Sequence, residues 1–298
     1  MESLNPGGSI KDRPALEIIR CGIEMGVIRE GTVIVEATSG NMGVGLAQVC
    51  RYLGLRFICV TDNKITGQNL RLLTIYGAEI EIIEKPDPAT GDLLQARINR
   101  ARSIAASIGN SFWVNQYANL ANARAHHRTM REIAEALQGR VDYVFCAASS
   151  CGTLRGCYEY LRMANLPAKL YAVDAPGSVI FGNARGRRLI PGHGAGLRPP
   201  LYQDQLGKRR IQVSDLECIV GCRRLMEMEG LLVGGTSGAV LMAIESIKDE
   251  IDSGANCVLI FPDRGERYLD TIFCDKWVAQ HWGDSALHNE MSCRLVPA

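Results

Sequence analysis

No stretch of about 18 uninterrupted apolar residues occurs in this 298-residue chain, so a membrane-spanning helix is not expected. The N-terminus lacks the charge, apolar core and small-residue cleavage site of a secretory signal. The chain therefore reads as cytoplasmic. No basic run is long enough to grip a polyanion, and 33 basic against 32 acidic residues leave a net charge of +1. Neither nucleic acid nor a membrane surface is expected as a partner; the clusters Arg185 to Arg188 and Lys208 to Arg210 read as solvated loop charges. Its 11 cysteines include no CxxC pair, and several lie in apolar segments (Cys50, Cys59, Cys146, Cys257). They read as reduced, mostly buried thiols, not as a disulfide framework or a zinc site. Cys218 and Cys222 fall in a helical pattern and His126-His127 has no partnered spacing, so no metal is expected. Internal repeats and low-complexity linkers are also missing.

What is present is alternation. Strand-like apolar runs at Thr32 to Glu36, Arg56 to Val60, Glu79 to Ile83, Tyr143 to Ala147, Lys169 to Asp174 and Cys257 to Pro262 are separated by helical patterns, among them Gly67 to Tyr76 and Asp92 to Ser107. This βαβ order predicts parallel sheets covered by helices on both faces, in a chain long enough for two modest domains. Glycine-rich loops fall where strand gives way to helix, which is where open α/β sheets bind anions and ligands. Pro176 to Leu206, rich in Gly, Pro and Arg, is the one long irregular stretch and reads as an active-site loop.

Two of these loops carry the chemistry. Asn5-Pro6-Gly7-Gly8-Ser9-Ile10-Lys11 sets a lysine in a tight turn at the mouth of a helix, and Thr38-Ser39-Gly40-Asn41 opens another with small, donor-rich residues. Taken singly, each is an ordinary helix start, with Ser9 or Asp12 capping and Lys11 solvated. Together they suit an enzyme that holds an aldehyde cofactor on a lysine and grips an amino-acid carboxylate opposite it. Lysine fits because desolvation readily lowers its pKa, giving a nucleophile and then a general base. After the strand ending at Ala147, Ser149-Ser150-Cys151-Gly152-Thr153 leads into an apolar helix, whose amides and hydroxyls suit a phosphate. Gly234-Gly235-Thr236-Ser237-Gly238-Ala239 and Pro262 to Tyr268 complete the set.

These five motifs, in this order, resemble the cysteine synthase and cystathionine β-synthase family of pyridoxal-phosphate enzymes. The likeness runs from residue 5 to about residue 277. It implies an α/β fold of the tryptophan-synthase-β-like type (fold type II) with two parallel-sheet domains: a smaller, mobile one over 12–108 carrying the carboxylate loop, and a larger cofactor domain from 1–11 and 109–298. It implies pyridoxal 5′-phosphate as cofactor, Lys11 as its Schiff-base lysine, and Ser149, Ser150, Cys151, Gly152 and Thr153 as the phosphate cradle. Thr236, with Ser237 second, would meet the ring nitrogen as a neutral hydroxyl, which favours β-elimination over transamination. Thr38, Ser39, Gly40, Asn41 and Gln116 would grip the substrate carboxylate, with Asn41 also on the cofactor 3′-oxygen. A homodimer is expected, and the chain is expected to lack a short N-terminal segment found in relatives.

Ser150 and Cys151 stand where cysteine synthases carry glycine or threonine, a departure that bears on the substrate more than the cofactor. The runs from Asn5 to Ala15, Asn115 to Asn119, Val173 to Gly182, Ile190 to Ala195 and Pro262 to Asp270 resemble one branch, the N-(2-amino-2-carboxyethyl)-L-glutamate synthases. That branch joins O-phospho-L-serine to L-glutamate, a step toward 2,3-diaminopropionate for siderophores such as staphyloferrin B. A phosphate leaving group calls for a guanidinium or several hydroxyls, for which Arg97, Tyr117 and Ser150 are the candidates. Arg97 reads equally well as a solvated helix residue. Two alternatives stay open: a cysteine synthase or cystathionine β-synthase-like enzyme using O-acetylserine, and an inactive scaffold that binds a partner peptide in the cleft.

Overall fold

The computed structural model describes residues 1–283, which form two four-stranded sheets. Helix α1 (Asp12–Glu24) precedes the first sheet. The sheet itself runs β1 (Val33–Ala37), α2 (Asn41–Leu53), β2 (Arg56–Asp62), α3 (Gly67–Ile75), β3 (Glu79–Ile83), α4 (Leu93–Ser107) and β4 (Ser111–Trp113). Helix α5 (Leu120–Ala136) leads into β5 (Tyr143–Ala147), α6 (Gly152–Met163), β6 (Lys169–Asp174), β7 (Arg210–Gln212), α7 (Asp215–Glu229), α8 (Gly235–Ser246), β8 (Cys257–Leu259) and α9 (Asp275–Trp282). Every strand pair is parallel, as the βαβ alternation predicts.

Period-two alternation explains why both faces of each sheet are covered. On β1, Val33, Val35 and Ala37 pack with Ile98 and Ala101 of α4, while Ile34 packs on the other face with Ile18, Leu46 and Phe57. On β5, Val144 and Cys146 face one core, and Tyr143 and Phe145 the other. Each Val, Ile, Leu or Phe among them contributes about 1.5–3 kcal/mol when fully buried, which fixes the strand register, because a one-residue slip would exchange the two faces.

Strand order positions the site. The first sheet is ordered β3-β2-β1-β4 and the second β7-β6-β5-β8. In each, the chain moves outward on one side and later returns to add a strand on the other, so a crevice opens between the carboxyl ends of β1 and β4, and of β5 and β8. Such a switch point is where parallel sheets bind ligands. The loops after those four strands are Thr38 to Gly40, Val114 to Tyr117, Ala148 to Cys151 and Ile260 to Arg264.

Two details differ from expectation. Strands β4 and β7, three residues each, have no counterpart in the sequence reading. β8 stops at Leu259 rather than Pro262: Ile260 N still reaches Phe145 O at 3.2 Å, but Pro262 has no amide hydrogen, and its carbonyl turns to accept from Ile10 N at 2.7 Å. β4 pairs with β1 through Val35 and Trp113.

Candidate active site

Lys11 is placed by its turn. Gly8 adopts φ 78°, a left-handed conformation that glycine tolerates, and donates to Asn5 O at 2.7 Å. Ser9 then bridges to Asp263, and its hydroxyl accepts from Lys11 N at 3.2 Å. Lys11 therefore caps α1 beside the β8 crevice instead of pointing to bulk water, and neither Ser9 nor Asp12 serves as the side-chain cap. Burial lowers the pKa of its amine, a shift partly opposed by the neighbouring Cys146, Asp263 and Cys151. It borders two adjoining spaces, one of about 310 Å³ and one of about 60 Å³.

The first sheet supplies the wall of the larger space, where Thr38, Ser39, Gly40, Asn41, Gln116 and Tyr117 come together. Gly40 caps α2 without a side-chain acceptor, so the first-turn amides and the helix dipole are available to an anion. Ser39 is held on two sides: Asn69 Nδ2 donates to its carbonyl at 3.3 Å and Arg97 Nη1 to its hydroxyl at 3.2 Å. Arg97 is buried on this wall, not solvated, and its Nε lies 3.0 Å from Asp62 Oδ2, which compensates its charge. Gln116 Nε2 donates to Glu36 Oε1 at 3.1 Å and to Ala37 O at 3.4 Å. Burial pushes the Glu36 carboxyl up to about 8, so at neutral pH it holds a proton.

The second sheet lines the smaller space with Ser149 to Thr153 and Thr236. Cys151 adopts φ 64° at the cap of α6, a backbone position where a side chain is strained. Ser150 Oγ accepts from Asn122 Nδ2 at 3.3 Å, and Thr153 Oγ1 lies 3.2 Å from His126 Nε2. His126 is completely buried, and burial together with the charge of Lys11 pushes its pKa far down. A neutral imidazole thus orients the Thr153 hydroxyl. Thr236 stands at the start of α8 on this space, whereas Ser237 is buried outside both spaces and its Oγ has no partner among the described residues.

The Pro262 to Tyr268 motif stands in the sequence as a whole, without roles for its single residues. Asp263 lines the smaller space directly; its Oδ2 accepts from Asn41 Nδ2 at 2.7 Å and Tyr268 Oη at 2.5 Å, while Oδ1 is buried without a partner. Arg267 donates to Asn41 Oδ1 and to Gly7 O. The Gly-Glu-Arg-Tyr element thus locks Asn41 against the lysine turn. Arg188, read as a solvated loop charge, lies on the wall of the larger space, while Arg187 beside it is exposed. It belongs to the irregular stretch after β6, whose residues from Arg188 to Gly196, all but His193, line that space as expected of an active-site loop. Strand order would have pointed to Asp263; no sequence signal separates Arg188 from Arg187. Among the described residues no metal-binding cluster forms, and no helix is long and apolar enough to cross a membrane.

Comparison with known proteins agrees with this geometry. Residues 1–263 match the family described as pyridoxal-phosphate dependent enzymes. Among solved structures, an O-acetylserine dependent cystathionine β-synthase from Helicobacter pylori is 30% identical, with a TM-score of 0.85 over 91% of this chain and 87% of that one. O-ureido-L-serine synthase is 28% identical, with a TM-score of 0.84 over 93% and 90%. A hydrogen sulfide-producing enzyme from Fusobacterium nucleatum is 30% identical, with a TM-score of 0.83 over 90% of each chain.

Proposed function

We propose a specific reaction for this chain, which belongs to the pyridoxal-phosphate dependent enzymes: L-glutamate displaces phosphate from O-phospho-L-serine, giving N-(2-amino-2-carboxyethyl)-L-glutamate. The cofactor is pyridoxal phosphate and the reaction class is β-replacement of the cysteine synthase kind. The residues fit the cofactor. Gly152 sits so close to Asn122 that a Cβ would come within 2.2 Å of its Oδ1, leaving bare backbone at the start of α6 where a phosphate seats. Thr236 offers a hydroxyl to the ring nitrogen, and Lys11 joins both spaces. When bound, the cofactor supplies an electron sink for the substrate α-carbon.

The observation that carries the substrate reading is the larger cavity, which holds Lys11, the carboxylate loop and two guanidinium groups, Arg97 and Arg188, in one space. Thr38 to Asn41 and Gln116 would orient the donor through its carboxylate. Lys11 Nζ, its basicity already reduced by burial, takes the α-proton. The Cβ–O bond breaks and phosphate leaves; the glutamate amine forms the new C–N bond and loses a proton, and Lys11 returns a proton to the α-carbon. The guanidinium of Arg188, with no carboxylate within 4.0 Å among the described residues, favours a charged donor and acceptor over O-acetylserine and sulfide. The similar O-acetylserine dependent cystathionine β-synthase of H. pylori favours a second reading, in which O-acetylserine is the donor.

Mass spectrometry of products from each donor and acceptor pair, with cofactor present, tests the proposal. Expected is the glutamate adduct from O-phospho-L-serine. Product from O-acetylserine and sulfide alone would move the assignment to a cysteine synthase.

A further inference from the structure

Arg188 is unlike Arg97, the other arginine lining the larger cavity. Arg97 has Asp62 at 3.0 Å. No carboxylate among the described residues comes within 4.0 Å of the Arg188 nitrogens. Among the described residues its one hydrogen bond is a long one, from Nη1 to His193 O at 3.5 Å, and its buried Nε has no partner there. Two of the three nearby acids are engaged elsewhere, and the third, Asp174, lies more than 4.0 Å away. Asp92 pairs with Arg185 at 3.0 Å and caps α4 through Leu94 N at 2.7 Å. Asp215 accepts from Leu189 N at 2.8 Å and Ile190 N at 3.3 Å. Asp174 is fully buried, and burial raises its pKa.

Burial also lowers the Arg188 pKa, but a guanidinium keeps its proton in proteins. The result is a partly desolvated positive charge awaiting an anion. Its backbone is fixed, because Asp215 clamps the next two amides and Ile190 is buried in the second-sheet core. A preorganised guanidinium binds a carboxylate at a lower entropic cost than a mobile one.

We propose that Arg188 is the specificity-determining residue for the acceptor, receiving the side-chain carboxylate of an acidic amino acid. This rests on the β-replacement reading above and names the chemistry of its second substrate. The Arg188 wall is formed by the irregular stretch, apart from the Ser39 loop that takes the donor carboxylate, so two carboxyl groups are held by two different elements. An amide or a methyl in place of the acceptor carboxylate would leave the guanidinium uncompensated.

The test uses unreactive probes on the cofactor-loaded protein: glutarate, butyrate and inorganic phosphate, titrated by calorimetry. Arg188→Gln is expected to weaken glutarate binding roughly 10- to 100-fold, the loss typical of a charge-assisted contact, while butyrate changes less than about twofold. Arg188→Lys, which keeps the charge but not the fork, should fall between, and it serves should the glutamine variant fold poorly. Arg187→Gln, at the exposed neighbour, should match wild type. Equal weakening of glutarate and butyrate, or weakening of phosphate alone, would overturn the proposal; the latter would make Arg188 a leaving-group residue. Failure of the substrate reading is separate: the glutamate adduct would be missing from the product analysis while the glutarate preference stayed Arg188-dependent.

Discussion

Lys11 and Glu36 show how burial sets charge at single residues. Lys11 alone of the lysines sits where both spaces meet the cradle, so Lys11→Ala should abolish the covalent bond to cofactor and turnover together. Borohydride treatment followed by peptide mapping checks this, and a trapped lysine elsewhere would sink the assignment. Glu36 carries the opposite lesson. Its pKa of about 8 comes from burial, only partly opposed by Gln116, the Asn115 amide and the charge of Arg97. The folded value lies above the unfolded one, near 4.3, so between those values the native state binds the extra proton. The Glu36 contribution is therefore fully present in acid and lost as pH rises through about 8. The slope approaches about 1.4 kcal/mol per pH unit for one full proton. Glu36→Gln, equal in size and never charged, should remove that component. Urea melts from pH 5 to 8 on both proteins would show it, and parallel curves would mean that Glu36 is ionised in the fold. Because Gln116 donates to Glu36, the same variant should also alter how the Gln116 amide faces the donor carboxylate.

At the scale of elements, close packing delivers the loop residues. α7 and α8 approach so tightly that a Cβ on Gly238 would lie 2.0 Å from Cys218 O, and one on Gly221 2.4 Å from Gly238 O. Neither backbone can give way without moving α8, and α8 carries Thr236 at its start. Gly238→Ala should therefore cost about 1–3 kcal/mol or more and weaken cofactor binding too, read by thermal melting and by titration with pyridoxal phosphate. Gly67→Ala, in open space at the start of α3, should be neutral or slightly stabilising. Equal melting temperatures for the two variants would refute the packing argument. Elements also mark what could be read in advance. Strands β2, β3, β5 and β6 begin where the apolar runs place them, because five or more β-prone residues leave little choice of structure. β4 and β7 are three residues long and take their structure from the neighbours they pair with, Val33 to Val35 and Ala172 to Asp174. The motif loops were legible because glycines and small hydroxyl residues announce helix starts. The Pro262 to Tyr268 motif was legible with them, but the particular role of Asp263 was not, since its place depends on β8 lying beside β5, a matter of strand order.

Across the whole molecule, the larger cavity is enclosed by both sheets' loops, and a few polar ties join the two halves. Asn41 of the first-sheet side meets Asp263 and Arg267 of the second, Gln68 donates to Asp270 at 2.8 Å, and Arg185 of the irregular stretch pairs with Asp92 at 3.0 Å. The last of these sits at the cavity rim, where Asp92 and Gly196 both line the wall, and Arg185 also donates to Gly196 O at 2.6 Å. The pair is half exposed on the arginine side, so it adds less than about 1 kcal/mol to stability. Its effect should fall instead on closure of the cavity around ligand. Asp92→Asn separates the two roles of this residue, because asparagine still caps α4 while the charge toward Arg185 is gone. Melting should shift by no more than a few degrees, whereas KM for donor and acceptor should rise together by about two- to fivefold, as expected when a closing contact is lost. Steady-state kinetics and a melting curve on the one variant decide the matter. A drop in stability with unchanged KM would make the Arg185–Asp92 pair a tie that only holds the halves together, and closure would then have to rest on the Asn41 contacts with Asp263 and Arg267.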